Sequence, residues 1–225
     1  MPKMTRRRAI ALLAVGTADA LLLGGCRRFV APEPTFRAGE TRRAAGKPLD
    51  PIASIPENSI KGPQQVSGAT YRLRIRGLVQ RPRDWHYDEV LDRFPRVERV
   101  HVMNCVEGWN RRLLRDGVRL RAILADAGVR AGAKVVIFRA ADGYATSLPL
   151  RYVLDNDLML AFMVNGLVLP ADRGFPLQLI AEGKWGYKSC KWVEEIELSP
   201  DVRFRGYWES RGYSNDGALS EPFFE

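Results

Sequence analysis

Residues 97–109 read Val97-Glu98-Arg99-Val100-His101-Val102-Met103-Asn104-Cys105-Val106-Glu107-Gly108-Trp109. Up to Asn104 valines alternate with polar side chains in the manner of a strand with one buried face. The pattern stops at Cys105, in a loop that carries a glycine and a large aromatic residue. A cysteine at a strand terminus is placed to present its sulfur to a cleft, and a thiolate is a strong ligand for a soft or high-valent metal. On the local pattern alone a buried core cysteine is the plainer reading. One thiolate completes a metal site only if an organic cofactor supplies most of the other ligands.

Outward from this stretch the chain is a series of short strands. Residues 71–79 alternate apolar side chains with Arg72, Arg74 and Arg76, which puts one face inside and three guanidinium groups in water. A turn at 80–84 precedes a short helical stretch at 88–94, and 118–128 has apolar residues at helical spacing with Gly128 as its stop. Residues 134–140 form an apolar strand, 147–154 open a helical turn, and 158–164, 176–181 and 192–198 are three more strands. Strands outnumber helices and the connections are too short for regular crossover helices. A mixed, mainly-β α+β fold is therefore expected, not a doubly wound parallel sheet. There is no internal repeat and no phosphate-binding glycine loop.

Before the strands lie two segments of other character. Residues 1–26 have a basic start and a moderately apolar run ending in small residues, the outline of an export signal. The run is short for a bilayer span and Asp19 interrupts it. Arg6-Arg7 after Thr5 resembles a twin-arginine signal, and Leu23-Gly24-Gly25-Cys26 resembles a lipoprotein lipidation site. A plain basic n-region and an unmodified Cys26 remain the alternatives. Residues 27–56, rich in Pro, Ala, Arg and Gly without periodicity, read as an extended tether, and 57–225 as the folded domain.

The 225 residues are 46% hydrophobic and 27% charged, which suits one folded core. Two histidines and three distant cysteines (Cys26, Cys105, Cys190) exclude zinc motifs built from paired ligands. Lysine and arginine exceed the acids by nine, of which Lys3, Arg6, Arg7 and Arg8 against Asp19 supply three, so a chain cleaved after the signal keeps about six. The remaining arginines are spread over several segments, and no nucleic-acid partner is expected.

Five motifs in order carry a family resemblance. They are Cys105-Val106-Glu107-Gly108-Trp109; Ala141-Asp142-Gly143-Tyr144 with Ser147-Leu148-Pro149-Leu150; Asn165-Gly166 with Leu169-Pro170; Arg173-Gly174-Phe175-Pro176-Leu177; and Trp185-Gly186-Tyr187-Lys188-Ser189-Cys190-Lys191-Trp192-Val193. Over residues 58–199 the chain resembles the molybdenum-cofactor domain of the sulfite oxidase family, especially its small bacterial members, which include periplasmic methionine sulfoxide reductases. The resemblance implies a molybdenum-molybdopterin cofactor with Cys105 binding the metal. It also implies that Asn58, Lys61, Gly62, Ala140, Arg173, Gln178, Ser189, Cys190 and Lys191 line the pterin and its phosphate. Physically, the loop 184–191 offers three lysines and free backbone amides to a phosphate, the alternative being a solvated charged loop.

The chain departs from the family at named positions. Gln178 stands where many relatives have arginine and Arg173 where others have Asn or His, so the positive charge near the pterin is rearranged. Ala140 has only its backbone to offer, and Asn110-Arg111-Arg112 lies two residues too far along to match the Asn-Arg-Arg of true sulfite oxidases. Glu107, Trp109 and Arg112 are candidates to shape the entrance. Little chain is left for the dimerisation domain of eukaryotic sulfite oxidases or for a haem domain, so an external electron partner is expected, a cytochrome or a membrane quinone-linked subunit. The implied activity is oxygen-atom transfer by an exported, periplasmic protein on sulfite, methionine sulfoxide or a similar small substrate. A lipoprotein that keeps the fold as a binding or scaffold module is the rival reading.

Overall fold

The computed structural model describes residues 34–224. A small hairpin of β1 (Arg43–Ala44) and β2 (Lys47–Pro48) opens it. Two strands then lead into a short helix three times: β3 (Arg72–Gly77) and β4 (Arg83–His86) into α1 (Tyr87–Arg93), β5 (Arg96–Asn104) and β6 (Asn110–Arg119) into α2 (Leu120–Ala127), β7 (Val135–Ala140) and β8 (Ala145–Pro149) into α3 (Leu150–Asp155). The last strands are β9 (Met159–Val164), β10 (Leu167–Val168), β11 (Gln178–Ile180) and β12 (Val193–Ser199). The fold is mainly β, as expected. The turn expected at 80–84 runs into a strand, β4, and the helix expected from Ser147 begins only at Leu150 because 145–149 pair with β7.

One five-stranded sheet has the order β4-β3-β12-β7-β8, with β3 and β12 parallel and its other pairs antiparallel. In the other, β5, β6 and β9 are successive antiparallel neighbours, and β10 and β11 share the far edge of β9. The sheets meet in one core: Leu73, Ile75, Phe138 and Ile196 from the first, Leu160, Phe162 and Leu179 from the second. Helix α2 adds Leu120, Ile123 and Leu124, and ends where Gly128 takes a left-handed φ of 70° and donates its N–H to Leu124 O. Each such aliphatic side chain contributes roughly 1.5–3 kcal/mol on burial.

The arginines of β3 are less solvated than the alternation suggests. Arg74 pairs with Glu194 and Glu195 of the adjoining β12, and Arg76 with Asp84 of β4. These pairs are half exposed and worth little individually.

The tether expected over 27–56 is corrected from Pro34 on, where the chain is part of the domain. Leu49, Ile52 and Ile55 are buried, the last two against Leu113, Val164 and Leu169. Buried Glu40 accepts hydrogen bonds from Ile52 N at 2.7 Å and Asn165 Nδ2 at 2.9 Å. A few irregularly spaced apolar residues give no periodic signal, yet suffice once a preformed sheet receives them. The signal and lipidation patterns at 1–26 lie outside the described residues. No helix among the described residues is long and apolar enough to cross a membrane.

Candidate active site

Strands β5 and β6 are the longest among the described residues, and residues 105–109 are the loop of their hairpin. The Cys105 N–H donates to Trp109 O at 2.9 Å and the Gly108 N–H to Cys105 O at 3.1 Å, with Gly108 at φ 87°. The cysteine therefore sits at the tip of a rigid hairpin. Around it one carboxylate oxygen gathers three neighbours: Glu107 Oε2 accepts from Trp109 Nε1 at 2.9 Å, from Asn58 Nδ2 at 3.0 Å and from Cys105 Sγ at 3.7 Å. Asn58 Nδ2 is also 3.9 Å from Cys105 Sγ. Partial burial pushes the Cys105 thiol up, whereas its donors hold the Glu107 carboxyl below the usual range.

The loop 184–191 docks on this tip. Trp185 bridges to Asn104 in parallel, and Gly186 lies so close that a Cβ there would stand 3.1 Å from Asn104 O. Only glycine allows that approach without displacing the backbone. Between hairpin and loop lies a cavity of about 300 Å³. Of the residues singled out from the sequence, Asn58, Cys105, Arg173, Gln178, Ser189 and Lys191 line it. Four others do not line it. Lys61 reaches the turn at Gly143, Gly62 has a φ of 76°, and the Ala140 N–H donates to Tyr144 O at 2.9 Å. Cys190 is buried with a free thiol that burial pushes well up, so its side chain is packed.

The lysine loop needs correcting. Lys188, wholly buried, is paired with Glu209 at 2.6 Å, and Lys184 with Asp216 at 2.6 Å. Only Lys191 of the three lines the cavity, with its Nζ 2.7 Å from Glu57 and 4.4 Å from the centre of the Trp192 ring. Two of the lysines hold the C-terminal segment, and that segment adds Trp208 and Tyr213 to the cavity wall. The sequence pointed to no site residue after residue 199, although the aromatic density of Tyr207, Trp208 and Tyr213 was a signal. It also missed β6 and thereby Arg115, which lines the cavity. Of the entrance candidates Glu107 and Trp109 line the cavity, while the backbone of Arg112 is tied to Asp50 Oδ2 at 2.7 Å.

Among the described residues no group of three or more His, Cys, Asp or Glu could hold a metal ion by itself. A metal here would take most of its ligands from an organic group, as one lone thiol demands. The family profile of the oxidoreductase molybdopterin binding domain matches residues 60–208. The chain belongs to this family. It is 35% identical over 151 residues to an Azospira oryzae protein provisionally named a protein-methionine-sulfoxide reductase subunit, covering 67% of this chain and 57% of the relative. It is 26% identical to the catalytic subunit of the protein-methionine-sulfoxide reductase of Ralstonia nicotianae, covering 86% of this chain and 68% of that one. The sulfane dehydrogenase of Paracoccus pantotrophus superimposes with a TM-score of 0.61 at 29% identity, over 69% of this chain and 43% of that one. The chain thus spans little more than half the Azospira protein and less than half the sulfane dehydrogenase chain. This membership gives it the sulfite-oxidase-like fold of a molybdopterin-binding oxidoreductase family, and the cavity suits the cofactor. It combines a free thiol with two guanidinium groups, Arg115 and Arg173, whose buried Nε atoms have no hydrogen-bond partner among the described residues.

His101, on β5, is 3% exposed and its Nδ1 has no partner among the described residues. Burial, then the nearby Arg115 and Arg99 charges, lowers its pKa from 6.5 to about 3. Between those two values the unfolded chain holds a proton that the folded chain lacks, so stability falls as pH falls, by up to about 1.4 kcal/mol per pH unit. Urea unfolding at pH 7, 6 and 5 is expected to show this slope reduced in His101→Phe. An unchanged slope would contradict it.

Proposed function

We propose that this chain is an exported, periplasmic oxidoreductase that holds its molybdenum cofactor in the cavity described above, with Cys105 as the protein ligand of the metal. The observation that carries the reading is Cys105 itself, the one thiol among the described residues on the cavity wall of a chain from this family. When bound, the cofactor supplies two-electron oxygen-atom transfer at molybdenum. Asn58, Lys61, Gly62, Ala140, Arg173, Gln178, Ser189, Cys190 and Lys191 line the pterin and its phosphate in this reading, some through backbone alone. Asn58, Glu107 and Trp109 fix the hairpin tip that presents the thiol.

The substrate in this proposal is a small sulfur compound, a sulfoxide or an oxidisable sulfur species. The named relatives bear on sulfoxides and on sulfane sulfur. Trp109, Trp208 and Tyr213 give the cavity an aromatic wall, which suits sulfur. Electrons pass to or from an external partner, a cytochrome or a membrane quinone-linked subunit, and the chain reaches the periplasm by its N-terminal signal, with Cys26 as a candidate lipid anchor.

The test is to purify the chain from a host with an intact maturation pathway, measure molybdenum, and assay sulfite oxidation and methionine sulfoxide reduction side by side with artificial electron carriers. About one metal per chain and turnover of at least one sulfur substrate are expected. Metal-free, inactive wild-type protein would overturn the reading in favour of a non-catalytic binding module.

A further inference from the structure

Arg115 is 1% exposed, yet no carboxylate among the described residues meets it. It extends from β6 across β9 to β11, where its Nη1 donates to Gln178 Oε1 at 3.0 Å, and both residues line the cavity. Its Nε has no partner among the described residues, and neither has that of Arg173, whose charge is the one that acts on Arg115. Arg173 faces two carboxylates, Asp172 at 3.4 Å and the charge of Glu57, which Lys191 shares. The other titratable neighbour of Arg115 is the buried His101, which is neutral at ordinary pH. A guanidinium taken out of water without a counter-charge is costly, and a second one beside it adds repulsion. Burial and Arg173 lower the pKa of Arg115 only to about 10, so the charge persists at neutral pH. A pair of this kind is stable when an anion completes it, and Arg fits oxyanions through its planar fork.

We propose that Arg115, clamped by Gln178 and standing beside Arg173, binds a compact dianionic oxyanion in this cavity, either the phosphate of the cofactor or the oxyanion of a substrate. This rests on the function proposed above. Gln178 orients this charge: it accepts from Arg115, which reaches it from β6 across the intervening strand β9.

The test compares full-length wild type, Arg115→Gln and the exchanged double variant Arg115→Gln/Gln178→Arg, each from a host that makes the cofactor and from one that cannot. Pterin and molybdenum per chain are measured, and unfolding midpoints are followed against inorganic phosphate and sulfate. Cofactor-free wild type is expected to be stabilised by phosphate, Arg115→Gln to need at least about tenfold more of it, and the exchanged variant to recover most of the loss. If the cofactor phosphate is the occupant, loaded wild type no longer responds to either anion and Arg115→Gln purifies with at least about tenfold less pterin. If a substrate oxyanion is the occupant, the loaded protein keeps a sulfate response that depends on Arg115, and Arg115→Gln loads fully. Arg115→Gln matching wild type in both pterin content and anion response overturns the inference, and so does an exchanged variant that folds without recovering either. Should Arg115→Gln alone not fold, the exchanged variant decides by the same two readouts. Wild type without metal or pterin from the competent host overturns the proposed function instead, and the phosphate response of that protein still decides this inference.

Discussion

Replacing Cys105 by alanine is expected to give a folded chain that purifies without molybdenum and transfers oxygen at least about a thousandfold more slowly than wild type. The loss of stability should be small, within about 1 kcal/mol, because the thiol lies at the tip of a hairpin loop with only long contacts to Asn58 and Glu107. The hairpin keeps its own hydrogen bonds through the Cys105 and Gly108 amides, which the substitution does not touch. Nor do the described residues hold a replacement. Cys190 is 1% exposed and does not line the cavity, and burial keeps its thiol protonated. Cys105→Ser is the sharper variant, since it preserves size while offering a harder, less acidic oxygen donor. Elemental analysis beside thermal melts checks both variants. Molybdenum retained at the wild-type level in either one would remove Cys105 from the metal.

The second large effect lies behind the cavity. Lys188 Nζ and Glu209 Oε1 are 2.6 Å apart with both side chains fully buried, and the same oxygen accepts from Thr146 Oγ1 at 2.6 Å while Lys188 Nζ also donates to Asn215 O at 2.8 Å. Burial lowers the Lys188 pKa, and Glu209 is the largest influence opposing that. Glu209→Ala leaves an ammonium in the interior without its counter-charge, and a loss of about 3–5 kcal/mol is expected. Lys188→Met/Glu209→Leu, which removes both charges, should be less destabilising than Glu209→Ala alone. Urea unfolding of the three proteins measures this, and equal losses would refute it. The pair joins the loop that docks on Cys105 to the segment carrying Trp208 and Tyr213, so Glu209→Ala is also expected to raise KM for the proposed sulfur substrate.

How far the site was legible in the sequence depends on how each residue is held. Cys105 was legible through the family resemblance, since the strand pattern that stops at it favours a core cysteine by itself, and the same resemblance singled out Asn58, Arg173, Gln178, Ser189 and Lys191, which line the cavity wall. Arg115 was not, since residues 110–117 mix Asn, Arg and Asp with leucines and show no clean period. Their strand exists because β5 and β9 pair on either side of it. The lysines of 184–191 misled for a related reason: their spacing shows charge, while the acids that neutralise Lys184 and Lys188 lie in the C-terminal segment.

By itself the sequence determined the mainly-β α+β class and most strand positions, because period-2 burial is local and leaves a local record, and its five ordered motifs carried the resemblance to the family that the profile match shows. Only the tertiary structure decided that residues 34–56 belong to the domain, that the C-terminal aromatics complete the cavity, and that a buried arginine on β6 meets the glutamine on β11. Those are contacts between residues far apart in the chain. Their energy comes from excluding water between surfaces that meet only once both sheets are folded, and no window of sequence contains both sides.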